Sequence, residues 1–112
     1  MDAKQKLDEI NSIMKEVSND DTDFQSSFMA FMGSTMSGGS LDIKTKELIA
    51  LSLGIAARCE WCISYHVNAA FAAGATRKEL MEVGYVTVLM YGSQALMELN
   101  NLMDAIKQFE QK

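Results

Sequence analysis

The chain has 112 residues, the size of one small domain, so a single domain over residues 1–112 is expected. Hydrophobic residues make up 48% of it, enough to form a core and too many for a disordered chain. The formal net charge is −5 with no cluster of Lys or Arg, which argues against nucleic acid and against anionic membrane surfaces as partners. The longest apolar run, Leu48 to Ala57, is interrupted by Ser52 and Gly54 and falls far short of the roughly 20 residues of a membrane span. Met1 to Lys6 is polar and shows no signal peptide, so a soluble, cytoplasmic protein is expected. In that compartment, two neighbouring cysteines point to catalysis, redox sensing or metal binding more than to a structural staple.

The elements read as helical in chain order. There is no proline to break a helix. Leu7, Ile10, Met14 and Val17 mark a first amphipathic helix. Ser18 to Asp21 is a capping and turn cluster. Phe24, Phe28, Phe31 and Met32 mark a second helix, ending near Ser37, Gly38 and Gly39. Asp42 fits the N-cap of a third helix running to about Ala57, whose apolar second half predicts full burial. Glu47 stands where that buried part begins. A fourth helix starts around Cys59 or Glu60 and runs to Ala73, with Gly74 at its C-cap. Thr76 and Glu79 form a capping-box pattern opening a fifth helix. Val83 to Tyr91 is rich in β-branched and aromatic residues. Helix is the better reading there, because no partner strand is in sight. Gly84 and Gly92 in this region mark close packing or a bend. Leu99, Leu102, Met103, Ile106 and Phe109 pattern a last helix, either separate from the fifth or continuous with it. The expected fold is all-α, with about five to six helices.

The chemistry concentrates in Cys59-Glu60-Trp61-Cys62-Ile63-Ser64-Tyr65-His66, a C-x-x-C followed four residues later by the single His of the chain. At about 100° per residue, Cys59, Cys62 and His66 share one helix face. Ala69, Ala70 and Ala73 continue that face with small side chains, which predicts a narrow, partly dry cleft beside a close helix. His66 leans toward the N-terminus and so onto Cys62, one turn away. Cys59 lies two turns from His66, roughly 10 Å along the axis, and out of its reach. Cys59 instead lies at the helix start, where the dipole favours a thiolate. Two thiols activated in different ways suit a nucleophile and a resolving partner. Two other readings stay open at this point. Cys59, Cys62 and His66, with Glu47 as a fourth ligand, are a possible zinc set. Both thiols are alternatively plain core residues. Trp61 and Tyr65 project to a different face from His66, which favours core or interface packing over substrate contact.

The string Leu41-Asp42-Ile43-Lys44-Thr45-Lys46-Glu47-Leu48-Ile49-Ala50-Leu51, the Cys59–Cys62–His66 motif, and then Ala69, Ala70, Gly74, Ala75, Thr76 and Glu79 resemble the carboxymuconolactone decarboxylase superfamily. Within it, the match is to the alkyl hydroperoxidase D (AhpD)-like branch. That branch carries a Glu, a C-x-x-C twelve positions on, and a His four after the second Cys. Glu47, Cys59, Cys62 and His66 occupy those positions. The resemblance implies an all-α fold assembled as a homotrimer or homohexamer. It also implies a thiol-dependent peroxidase or disulfide oxidoreductase with no cofactor and no metal. By the same resemblance Cys62 attacks, Cys59 resolves, and Glu47 and His66 relay the proton. The substrate would be a peroxide or disulfide, with electrons from a dithiol such as a lipoyl domain, or from thioredoxin. At one position the chain departs: the best-known peroxidase members carry a second His directly before the second Cys, where this chain has Trp61. The lactone decarboxylases lack the Cys pair, which disfavours decarboxylation. Two alternatives without turnover remain: a redox-sensing or partner-binding module, and a small metal-binding protein.

Overall fold

A computed structural model describes residues 1–110. Six helices follow in order: α1 (Ala3–Asp20), α2 (Thr22–Met36), α3 (Ile43–Ala56), α4 (Glu60–Ala72), α5 (Arg77–Tyr91) and α6 (Ser93–Phe109). There is no strand among the described residues, so the β-rich segment up to Tyr91 is helical. α5 and α6 are separate helices. Gly92 joins them with φ 75°, a left-handed backbone that glycine adopts without cost.

Side-chain caps set most of the boundaries. The Asp2 carboxylate accepts the Gln5 N–H, and the Gln5 side chain accepts the Asp2 N–H, which closes a capping box on α1. Asp21 alone separates α1 from α2, so the expected turn at Ser18 to Asp21 shrinks to one residue. The Asp21 side chain caps α2 by accepting the Phe24 N–H. Asp42 caps α3 through the Thr45 N–H, and Thr76 with Glu79 forms the expected box on α5. Gly74 follows the α4 C-cap residue Ala73 with φ 95°.

α4 lies at the centre, packed on α3, α6 and α1. Its Ile63, Val67 and Ala70 meet Leu51 and Ile55 of α3, Leu80 of α5, and Leu102, Ala105 and Ile106 of α6 in one buried cluster. Gly84 lets α5 approach α6 closely. A Cβ there would come within 2.8 Å of both Leu99 and Leu102.

Burial departs from the apolar pattern in three helices. The second half of α3 is not fully buried, because Ile49 and Leu53 face outward. α2 forms where predicted but buries no residue, with Phe31 69% exposed. It packs on α1 and only the edge of α3, so its apolar stripe never reaches the core. Of the first helix, the fully covered residues are Ala3 and Lys6, whereas Leu7, Ile10, Met14 and Val17 are only half-buried. No helix among the described residues is long and apolar enough to cross a membrane.

Candidate redox site

The turn between α3 and α4 builds the site. The Arg58 N–H donates to the Ile55 carbonyl, and the Cys59 N–H donates to the Gly54 carbonyl, both at 3.0 Å. These two bonds close α3 in a Schellman motif. Its left-handed residue is Arg58, with φ 55°, where glycine is the usual occupant. The next residue, Cys59, is the N-cap of α4, and its Sγ accepts the Cys62 N–H at 3.1 Å. The sequence placed Cys59 near a helix start; here the sulfur itself acts as the capping acceptor. Cys59 and Cys62 are joined by a disulfide, with Cα atoms 5.2 Å apart.

Glu47 and His66 come together from α3 and α4. Glu47 Oε1 lies 2.7 Å from His66 Nδ1, and Glu47 is only 7% exposed. The pair leaves no buried polar side-chain atom unpartnered among the described residues. Tyr65 packs edge-on to the His66 ring, with centroids 5.0 Å apart. Burial first, and then the charge of Glu47, push the Tyr65 hydroxyl above its ordinary pKa. All four residues read from the sequence thus lie at the α3–α4 junction: the two cysteines bonded, and the carboxylate bonded to the imidazole.

The face beside Cys62 and His66 opens into an apolar cleft of about 420 Å³. Ile10 and Met14 of α1, Phe28, Phe31 and Met32 of α2, and Ala50 of α3 wall it, together with Trp61 and Tyr65 of α4. Trp61 and Tyr65 therefore border the same cleft as Cys62 and His66, although helical projection put them on a different face. Trp61 is fixed there by its indole N–H, which donates to Glu9 Oε1 at 2.8 Å. Among the glycines, one lets a helix close on the site. It is Gly54 of α3, where a Cβ would come 3.1 Å from the Cys62 Cβ.

The part played by α1 and α2 was not legible from the motif. The only sequence signal was a second helix bearing Phe24, Phe28 and Phe31 with little else to bury. For metal, the disulfide occupies both thiols, and no group of three or more His, Cys, Asp or Glu is arranged to hold an ion among the described residues.

The family model for the carboxymuconolactone decarboxylase family matches residues 22–105, and the chain belongs to that family. It is 28% identical over 100 residues to an uncharacterised protein of the cox locus in Paracoccus denitrificans, covering 89% of this chain and 90% of that one. An uncharacterised protein of Cupriavidus necator is 32% identical over 96 residues, covering 86% and 85%. Among solved structures, a carboxymuconolactone decarboxylase family protein from Legionella pneumophila, crystallised in its apo form, superposes with a TM-score of 0.92. It has 28% identity over 97% of each chain. Another member of the family, from Thermotoga maritima and proposed to take part in an antioxidative response, has a TM-score of 0.80. Its identity is 26%, over 92% of this chain and 88% of that one.

Proposed function

We propose that this chain is a thiol-dependent peroxidase or disulfide oxidoreductase of the AhpD-like branch, working through Cys59 and Cys62. The observation that carries the reading is the buried Glu47–His66 pair, set one helical turn from a redox-paired Cys62 and beside an apolar cleft. An ionised Glu47 accepts the Nδ1–H of His66 and leaves Nε2 as the free, basic nitrogen. In the reduced protein, that nitrogen takes the Cys62 proton. The thiolate gives its electron pair to the outer peroxide oxygen, the O–O bond breaks, and the departing alkoxide takes the proton back from His66. Cys62 is then a sulfenic acid. The Cys59 sulfur attacks it, water leaves, and the disulfide forms. A dithiol donor, such as a lipoyl domain or thioredoxin, returns two electrons and becomes a disulfide itself.

The apolar walls suit a substrate with a hydrocarbon body, and the antioxidative role proposed for the Thermotoga maritima relative is in line with peroxide chemistry. We also propose a homotrimer or homohexamer in the cytoplasm. Tyr85, Val86, Leu89 and Met90 on α5, and Leu96 and Met97 on α6, are all exposed apolar side chains, and large apolar patches mark interfaces. The test is peroxide consumption by the reduced protein with dihydrolipoamide, thioredoxin and dithiothreitol as alternative donors. The reading expects catalytic turnover with at least one dithiol and none in Cys62→Ser. A disulfide that forms once with no turnover favours the redox-sensing alternative. One tightly bound zinc per chain favours the metal-binding one.

A further inference from the structure

Both residues between the two cysteines are gripped by α1. Lys6 Nζ lies 3.5 Å from Glu60 Oε1, and one turn further along the same helix Glu9 accepts the Trp61 indole N–H. Lys6 is the unusual member. It is 5% exposed, and its remaining partner is Asn101 Oδ1 at 3.2 Å on α6. Burying an ammonium costs several kcal/mol unless it is paired, and an apolar side chain of the same length would fill this space at no such cost. A role in packing alone does not account for a charge at this position.

We infer that Lys6 is a positioning residue for the Cys59–Cys62 couple: its charge offsets the Glu60 carboxylate beside Cys59 and so favours the dithiol form. This deepens the proposed redox function and rests on it. In the oxidised chain Cys59 carries no charge. Reduction adds two electrons and two protons from a dithiol, which becomes a cyclic disulfide, and breaks the Cys59–Cys62 bond. Cys59 can then release its proton to solvent and stand as a thiolate at the start of α4. The Cys62 N–H and the helix dipole stabilise that charge. The adjacent Glu60 carboxylate, in the first turn of the same helix, opposes it. Lys6 from α1 removes that opposition. The charged groups that meet here are Lys6 and Glu9 from α1, Glu60 from α4 and, through Asn101, Glu98 from α6, whose carboxylate accepts the Asn101 amide N–H at 2.9 Å. Because the Glu60 side chain is 44% exposed, solvent screens part of the effect and keeps it modest.

The experiment is an equilibrium titration of the full chain in dithiothreitol redox buffers, at fixed pH, with the dithiol fraction read by alkylation and mass. Lys6→Met should move the equilibrium toward the disulfide by about threefold to tenfold. Glu60→Gln should move it the other way. The double variant Lys6→Met/Glu60→Gln, with both charges gone, should return to within about twofold of the wild type. A merely structural Lys6 would give no such recovery, and Glu60→Gln keeps the test in force should Lys6→Met fail to fold. If the wild-type pair titrates and neither single variant shifts it in these directions, the role of Lys6 is overturned while the redox reading stands. A wild-type disulfide that does not titrate reversibly overturns both.

Discussion

Gly54 on α3 backs directly onto Cys62 on α4. A Cβ at Gly54 would sit 3.1 Å from the Cys62 Cβ and 3.6 Å from the Cys62 carbonyl carbon and the Ile63 nitrogen. The two backbone atoms are at ordinary van der Waals distance, and the tight contact is the Cys62 Cβ, which is bonded directly to the α4 backbone and yields less readily than the far end of a flexible side chain. Gly54→Ala would otherwise stabilise a helix interior by roughly 0.5–1 kcal/mol. Here overpacking should outweigh that and cost a net of about 1–2 kcal/mol. It should also displace the reactive sulfur. Thermal melts and the Cys62 alkylation rate check this; a higher melting temperature with an unchanged rate would show that α3 and α4 can spread freely.

The exposed apolar surface of α5 and α6 predicts assembly. Leu89 is 81% exposed, between Tyr85, Val86 and Met90 on the same helix. Light scattering at micromolar concentration should give a trimer or hexamer mass, and Leu89→Glu should lower it. A monomer mass for the wild type would leave this surface without its expected partner.

Stability should fall on the acid side through two carboxylates that hold helix starts. The Lys44 side chain and the Thr76 N–H hold Glu79 below the usual carboxylate range, and hydrogen bonds from Thr45 do the same for Asp42. A depressed folded pKa gives stability that is fully present above the unfolded value, near 4, and is lost as pH falls through the lower folded value. Glu79→Gln should flatten the pH dependence of the melting temperature below about pH 5, with little change in slope above it. Melts of both proteins across that range provide the check.

The fold was readable because its signals are local. Asp42, and the pair Thr76 and Glu79, cap the helices they were expected to cap. The Cys–Cys–His spacing also fixed what one helix could bring together. The Glu47–His66 contact came from the resemblance and not from spacing, since two helices must meet to form it. What the sequence hid was relational. Nothing local says that Phe28 and Phe31 would wall a cleft instead of filling a core, or that Trp61 would be turned toward that cleft by Glu9. A buried Lys6 is likewise invisible until Glu60 and Asn101 are seen around it. Outward-facing Ile49 and Leu53 contradicted the expected burial, because the apolarity of a helix does not by itself say which of its faces meets the core.

In the proposed mechanism Glu47 and His66 activate Cys62. The most direct measurement is the rate of Cys62 alkylation against pH in a Cys59→Ser background, where no disulfide interferes. A positioned base is typically worth about 10²–10⁴-fold. His66→Phe should therefore slow the reaction near neutral pH by orders of magnitude in a folded chain. Glu47→Gln keeps the shape of the contact but removes its charge. It should fall between wild type and His66→Phe and move the midpoint of the profile. If both variants leave the curve where the parent has it, the 2.7 Å contact between Glu47 and His66 is structural only and the relay does not operate.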